Sequence, residues 1–189
     1  MSDGRRLLKR PERRQALITA AARAFARGGY AATSLDDVAA EAGVSRVLIY
    51  RHFDSKTGLY EAVLEDVAEQ LKVATGHPDL DPSSLQSLVD AAQQNPDGFR
   101  LFFRQSGREP EFKRHADELR LAMKTTAEPY LREAIPDPQR LAWAAEVIPA
   151  IAIEAVIAWL DAGQPSPETA GDTITQIIGA AVTSIGASR

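Results

Sequence analysis

The sequence contains no cysteine, which excludes disulfide bonds and zinc sites built from thiolates. Absence of cysteine fits a reducing compartment, so we expect the protein in the cytoplasm. The first residues, MSDGRRLLKRPERR, are charged and hold no apolar run of signal-peptide length, so no secretion signal is expected. The longest apolar stretch, residues 147–160, contains Pro149 and Glu154 and is shorter than a bilayer-spanning helix, so no membrane span is expected.

Sequence patterns of the common catalytic sites are also missing. The chain has no nucleophile elbow, no glycine-rich phosphate-binding loop and no cluster of metal ligands. Its three histidines are far apart in the sequence, and its carboxylates are scattered. We therefore expect neither an enzyme, nor a metal site, nor a cofactor.

Charge is divided unevenly along the chain, whose net charge is −4. Residues 1–56 hold 11 Lys and Arg against 6 Asp and Glu, a balance of +5. Residues 57–189 hold 11 against 20, a balance of −9. A basic front predicts a polyanionic partner for that part alone, although a solvated charged terminus would have the same composition.

Hydrophobic spacing predicts an all-α protein of about nine helices, and no segment alternates as a strand does. Gly28 and Gly29 mark the end of the first helix, and residues 76–82 are predicted to form a loop. Pro129 and Pro149 fall inside helical patterns and are expected to kink or split them. Later helices are predicted to begin where a proline follows a capping residue, at Asn95-Pro96, Glu109-Pro110, Asp137-Pro138 and Ser166-Pro167.

Two predicted helices of about eight residues each are joined by the turn Ala42-Gly43-Val44. Thr33 or Ser34 can cap the first of them, and an Asp three residues further on completes a capping box. Ala39 is small where the two helices would cross, and Gly43 can take the positive φ that the turn needs. This spacing predicts a helix-turn-helix.

The segment TSLDDVAAEAGVSRVLIYRHFDSK, residues 33–56, resembles the DNA-binding signature of TetR-family transcriptional regulators. Two positions depart from that signature, since Val47 and Leu48 stand where the family has Gly or Pro followed by Thr, Ser or Ala. The positions that match are Thr33, Ser34, Val38, Ala39, Ala42, Gly43, Val44, Ser45, Ile49, Tyr50, His52, Phe53, Ser55 and Lys56.

The resemblance implies a homodimeric, ligand-responsive repressor with a three-helix DNA-binding head and a C-terminal helical body for ligand binding and dimerisation. We assign the head to residues 1–56 and the body to residues 57–189. The expected partners are double-stranded operator DNA, a small-molecule effector and a second copy of the chain. The alternative is a helical protein-interaction module that uses the front helices without specific DNA binding.

The second helix of this motif, the recognition helix, is predicted to run from about Ser45 to Phe53. A step of 100° per residue assigns its side chains, taking Ile49 as inward. Val47 and Arg51 then point outward, and Ser45 shares the core side. Arg46 is the candidate for a two-pronged contact to guanine, with a phosphate contact as the alternative. Val47, with Leu48, is predicted to meet thymine methyl groups, unless it packs against the neighbouring helix.

The other DNA-binding candidates of the head are expected to contact the phosphate backbone of DNA. The resemblance implies that the Tyr50 hydroxyl donates to a phosphate, and His52 and Lys56 are expected to do the same, together with Thr33 or Ser34. Basic residues at the start of the chain are expected to add sequence-independent attraction. They are Arg5, Arg6, Lys9, Arg10, Arg13 and Arg14.

For the body, aromatic residues at helical spacing are more often core than pocket, but the resemblance implies an apolar ligand pocket. The last two helices are expected to form the dimer interface, although Gly171, Gly179 and Gly186 would fit close approach within one chain equally well. The candidates for the pocket are Phe99, Phe103, Met123, Tyr130 and Trp143, with Arg104 or His115 orienting a polar ligand.

Overall fold

The computed structural model describes residues 9–75 and 82–187, and every regular element in these ranges is helical, which confirms the all-α prediction. Arg5, Arg6 and most of the predicted loop at 76–82 lie outside the described residues. A π-helical turn spans Leu101–Gln105 and a 3-10 turn spans Ser106–Arg108. The nine α-helices are α1 (Arg10–Ala32), α2 (Leu35–Ala42), α3 (Arg46–Tyr50), α4 (Lys56–Thr75), α5 (Pro82–Gln94), α6 (Pro96–Arg100), α7 (Lys113–Ala134), α8 (Pro138–Asp161) and α9 (Ala170–Ala187).

Side-chain caps fix two of the four predicted proline starts. Asn95 Oδ1 accepts from the Gly98 N–H at 3.0 Å at the start of α6. Asp137 Oδ1 accepts from the Arg140 N–H at 2.8 Å at the start of α8. In both cases the proline occupies the first helical turn, where its missing N–H removes no intrahelical bond.

The other two predicted starts are wrong by three residues. After Glu109-Pro110 the chain turns, with the Phe112 N–H donating to the Glu109 carbonyl at 3.0 Å, and α7 begins only at Lys113. That turn inserts the Phe112 ring into the core, where it is 1% exposed. After Ser166, whose φ is +46°, the chain turns again before α9 begins at Ala170.

Neither internal proline splits its helix, because α7 continues through Pro129 and α8 through Pro149.

Helix α8 is longer than the apolar stretch at 147–160. With 24 residues and a mean hydropathy of 1.8 over its most apolar 18-residue window, it is long and apolar enough to cross a bilayer. Its apolar character has a second explanation, since its buried face packs into the core of the helical body. The expectation that this apolar segment is too short to span a bilayer is therefore corrected. The burial of one face of α8 accounts for its hydropathy.

One hydrophobic core contains residues from both sides of the predicted domain boundary at residue 56. It extends from Leu17 in α1 through Leu59 and Leu64 in α4 to Val156 in α8 and Ile174 in α9. A second, smaller cluster joins α7, α8 and the end of α9. Helix α4 packs against both α1 and α5 and so links the head to the body, and α1 also packs directly against α6 and the π-helical turn.

Candidate DNA-binding site

The turn between α2 and α3 depends on one backbone conformation. Gly43 has φ +63° and ψ +35°, a left-handed geometry that side chains with a Cβ rarely adopt. The Gly43 N–H donates to the Ala40 carbonyl at 3.2 Å, and the Val44 N–H to the Ala39 carbonyl at 3.0 Å. These bonds close the C-terminus of α2, and the chain reverses into α3 at the residue that the sequence predicted.

The inward side of this unit is apolar. Val38 and Ile49 are fully buried, and Phe53 is 6% exposed. The guanidinium carbon of Arg14 lies 5.0 Å from the centroid of the Phe53 ring, so α1 covers the end of the recognition segment. Packing therefore fixes α3 against α1 and α2, with Ile49 inward as the 100° step predicted.

Helix α3 is shorter than predicted, because it ends at Tyr50 instead of Phe53. The N–H groups of His52 and Phe53 both donate to the Ile49 carbonyl, at 2.9 Å each, which tightens the last turn. Ser45, which was predicted to share the core side, is exposed because it is the residue that precedes the helix. The helical wheel fails at this residue, since it is not helical.

The N-terminus of α2 is closed by a capping box between Ser34 and Asp37. The Asp37 N–H donates to Ser34 Oγ at 3.1 Å, and the Ser34 N–H donates to Asp37 Oδ2 at 2.8 Å. The hydrogen bond from the Ser34 hydroxyl, followed by that from its backbone, lowers the pKa of Asp37. Thr33 is 4% exposed, and its hydroxyl donates to the Gly29 carbonyl at 2.7 Å. Of the two predicted phosphate contacts, Ser34 is therefore at the surface and Thr33 is not.

Both terminal nitrogens of the Arg46 guanidinium donate hydrogen bonds within the protein. Nη1 donates to Asp36 Oδ2 at 3.0 Å, and Nη2 donates to the Tyr50 hydroxyl at 3.1 Å. The hydrogen bond with Tyr50, followed by the negative charge of Asp36, raises the pKa of Arg46. The guanidinium carbon also lies 5.5 Å from the centroid of the Tyr50 ring. Arg46 and Tyr50 therefore lie on the same flank of α3.

The outward side of α3 carries the two residues that depart from the family signature. Val47 is 64% exposed and Leu48 is half-buried. Arg51 is exposed and His52 is half-buried beside them. The packing alternative for Val47 loses support, because a side chain this exposed contributes little to the core.

Lys56 lies at the start of α4 and reaches back to the end of α1. Its Nζ donates to the Ala31 carbonyl at 3.3 Å and lies 4.4 Å from the centroid of the Tyr30 ring. In this state the ammonium is used within the protein, and a phosphate contact by Lys56 would add to or exchange with that pair.

The sequence did not predict the ion pairs that join α1 to α2. Arg23 Nε donates to Glu41 Oε1 at 2.7 Å, and Arg27 donates to the other oxygen of the same carboxylate. These hydrogen bonds, that from Arg23 first, lower the pKa of Glu41. The partners lie 18 and 14 positions apart, and the i,i+4 rule of a single helix cannot pair residues at that distance.

The predicted ligand pocket does not assemble. Phe99 and Phe103 are 1% and 5% exposed, and their ring centroids lie 4.8 Å apart in the core. Met123 is half-buried against the same core. Tyr130 and Trp143 are 41% and 57% exposed, so the structure does not bring them together with the buried candidates. The α7 and α8 faces that meet contain Leu131 and Ala144 instead, and each aromatic residue lies one position away from them.

The polar candidates of the body are also placed differently. Arg104 is at the surface and donates to Asp161 at 2.7 Å, while His115 is buried at the start of α7. Within the described residues, no group of three or more metal-ligating side chains occurs. An open groove of about 460 Å³ lies between α4 and α5, and none of the predicted pocket residues lines it. Its lining is Asp66, Glu69, Gln70, Val73, Ala74, Ser87, Asp90, Ala91 and Gln94.

Comparison with known proteins identifies the front of the chain. The family model for "Bacterial regulatory proteins, tetR family" matches residues 17–63, which include α2, the Gly43 turn and α3. Residues 17–63 are therefore similar to the DNA-binding segment of TetR-family regulators. The matched range ends within α4, about two turns beyond Lys56.

The chain is also similar to individual HTH-type transcriptional regulators. The chain is 35% identical over 104 residues to the HTH-type transcriptional activator FasR of Mycolicibacterium smegmatis, covering 51% of this chain and 48% of that protein. It is 37% identical over 98 residues to the HTH-type transcriptional repressor SCO4008 of Streptomyces coelicolor, covering 49% and 50%. The chain thus spans about half the length of the curated relatives that it matches.

The body is similar to TetR-family structures in fold. A TetR-like transcriptional regulator from Rhodococcus sp. RHA1 superposes with a TM-score of 0.76 and 20% identity, over 93% of this chain and 98% of that one. At this identity the likeness shows a shared fold and no more. The prediction of a helix-turn-helix head followed by a helical body is confirmed.

Proposed function

We propose that this TetR-family protein is a sequence-specific DNA-binding transcriptional regulator that acts in the cytoplasm. The observation that carries the proposal is the coincidence of the family match at residues 17–63 with a folded helix-turn-helix whose outward residues are not needed for the core. Val47 and Arg51 extend from α3 away from Ile49, and a helix presented in this way fits the major groove.

Sequence-independent attraction comes from the start of α1. Lys9, Arg10 and Arg14 are exposed, and Arg13 is half-buried beside them. Together with the +5 balance of the head, they predict binding that weakens steeply with salt. Ser34, Tyr50, His52 and Lys56 remain the proposed phosphate contacts, whereas the Thr33 hydroxyl is used internally.

The protein is proposed to act as a homodimer through α8 and α9. Two of the three glycines in α9 have reasons within the chain. A Cβ on Gly171 would lie 3.0 Å from the Gln86 Cα, and one on Gly186 would lie 2.7 Å from the Ala134 carbonyl oxygen. A Cβ on Gly179 would meet nothing within 4 Å, and Gly179 is exposed.

Glycine within a helix costs about 1 kcal/mol relative to alanine, so a glycine with no close neighbour in its own chain needs another reason. Close approach by the same helix of a second copy supplies one. A symmetric dimer would also place two α3 helices about 34 Å apart, which is the spacing of successive major grooves on one side of DNA.

Repression relieved by a small-molecule effector is the proposed mode of regulation. One route from body to head is an aromatic cluster formed by Phe25, Tyr30, Tyr60 and Phe112. Phe112, just before α7, lies 4.5 Å from Tyr60 and 4.8 Å from Tyr30, measured between ring centroids. An effector that displaced Phe112 would therefore move Tyr30, on which Lys56 is stacked. Effector and DNA would then weaken each other's binding by the same factor.

A gel-shift titration with the promoter region beside the protein's own gene tests the proposal. Specific, salt-sensitive retardation with unrelated DNA as the competitor supports it. A folded dimer that shows no preference for any adjacent DNA would contradict it and would favour the protein-interaction alternative. Addition of small molecules to the retarded complex, with release as the readout, tests the effector separately.

A further inference from the structure

Asp36 is an acidic residue beside Arg46 in a head whose net charge is positive. Its neighbour Asp37 has a structural role, because it closes the capping box with Ser34. Asp36 is not part of that box, and its side chain is 67% exposed. A carboxylate at this place repels phosphate, so a reason for it must lie in what it contacts.

The contact is Arg46, the proposed base-reading residue. Asp36 Oδ2 accepts from Nη1 at 3.0 Å, and the Tyr50 hydroxyl accepts from Nη2 at 3.1 Å. One anchor is on α2 and the other is on α3, so the guanidinium is held across the helix-turn-helix. Each terminal nitrogen carries two hydrogens, which leaves one on each nitrogen for an acceptor on DNA.

Stability does not explain the arrangement. The side chain of Arg46 is 50% exposed, and an ion pair as exposed as this one contributes little to folding. Holding the guanidinium does have a consequence for recognition. A free arginine can turn to any phosphate within reach, whereas an arginine with a fixed orientation bonds only acceptors that lie in the direction of its fork. The O6 and N7 atoms of guanine match that fork when a base edge lies there.

We propose that Asp36 is a specificity-determining positioning residue, which orients Arg46 toward a guanine edge and withholds its charge from phosphates. The inference rests on the proposed DNA-binding function and deepens it. Asp36 acts through Arg46 and makes no base contact itself. It therefore lowers affinity for unrelated DNA and raises discrimination at one base pair of each half-site.

The test is selection from a double-stranded DNA pool with a randomised core, followed by binding titrations on the enriched sequence and on its variants at the guanine position. The proteins are wild type, Asp36→Asn, Arg46→Ala and the double variant. Asp54→Asn is the matched control, because it removes the same charge from an exposed position in the turn after α3. Tyr50→Phe, which removes the second anchor without altering α2, is the variant to use if Asp36→Asn does not fold.

The wild type is expected to enrich guanine at one position of each half-site. Asp36→Asn should lower that preference by roughly 5- to 100-fold, the range for losing one two-pronged base contact. It should also bind unrelated DNA about twofold or more tightly, since one repulsive charge is gone. Asp54→Asn should share the second effect and keep the guanine preference. Tyr50→Phe should lose part of that preference. In the Arg46→Ala background Asp36→Asn should leave the remaining guanine preference unchanged, while the general gain from removing one negative charge persists.

Three results would overturn the inference. Full guanine preference in Asp36→Asn, with wild type enriching an operator, removes the role of Asp36 and leaves the DNA-binding function intact. An equal effect of Asp36→Asn on the guanine preference with and without Arg46 shows that Asp36 does not act through Arg46. A wild-type protein that enriches no sequence removes the proposed function, and this inference with it.

Discussion

The hydroxyl oxygens of Tyr30 and Thr57 lie 2.8 Å apart, which joins the end of α1 to the first turn of α4. Tyr30 also packs against Tyr60 and Phe112, with centroid separations of 4.9 and 4.8 Å. One residue of the head therefore contacts both the helix that leaves the head and the segment that begins α7. A movement in the body that displaces Thr57 or Phe112 would therefore also displace Tyr30 at the end of α1.

Tyr30→Phe and Thr57→Val are expected to lower the free energy of unfolding by about 1 kcal/mol each, the usual contribution of one hydrogen bond. Since both remove the same bond, the double variant should lose little more than either single one. Urea unfolding at fixed protein concentration measures all three. Fully additive losses would show that the two hydroxyls act independently, contrary to the geometry.

Gly43→Ala should destabilise the protein by about 1 to 2 kcal/mol through backbone strain alone, because φ is +63° and an added Cβ meets nothing within 4 Å. Gly43→Asn should cost less, since asparagine tolerates the left-handed region better. Gly107→Ala is the matched control, as an added Cβ there also meets nothing within 4 Å and φ is not positive. Equal losses at the two glycines in urea unfolding would contradict the assignment.

The turn and caps of the head could be predicted from the sequence, whereas the surroundings of individual side chains in the body could not. The Ser34 cap, the Gly43 turn and inward Ile49 follow from signals within a few residues of one another, so local rules suffice. The exposure of Tyr130 and Trp143 could not be predicted, because periodicity identifies a helical face without saying which helix covers it. The pairing of Asp36 with Arg46 depends on how α2 and α3 cross, and their separation of 10 positions in the sequence carries no such information.

Glu41→Gln should lower the melting temperature at neutral pH and have less effect in acid. The pKa of Glu41 is lowered in the folded protein by Arg23 and then Arg27, so its stabilising effect is fully present above its ordinary value of 4.5. It is lost as the pH falls through the lowered pKa. The gap between wild type and variant should therefore shrink below about pH 4.5. Glu65→Gln, at an exposed position of α4, is the control and should show no such closing gap.

Gly179→Leu should weaken the proposed dimer while leaving each copy folded. The position is exposed, and an added Cβ meets nothing in its own chain, so the monomer has room for the side chain. At a close helix contact the same side chain would overpack the interface, which predicts a loss of affinity of at least about tenfold. Light scattering over a concentration series measures it. Ala122→Leu on the exposed face of α7 is the control, and an unchanged dimer in Gly179→Leu would exclude α9 from the interface.

Val47→Ser tests whether the departure from the family signature reads thymine. Val47 is 64% exposed, so the change should alter the free energy of unfolding by less than about 0.5 kcal/mol. Loss of an apolar contact with a thymine methyl group should reduce preference for thymine at one operator position by about threefold to fivefold.

Titration of the selected operator and its single-base variants measures that preference, and thermal unfolding measures the stability. Val73→Ser, 73% exposed on α4, is the matched control and should leave both unchanged. A large fall in melting temperature with unaltered base preference would mean that Val47 packs within the head. Because the neighbouring Arg46 is proposed to read guanine, Val47→Ser and Arg46→Ala should relax different positions of the operator. The same position relaxed by both would show that the two side chains act on one base pair.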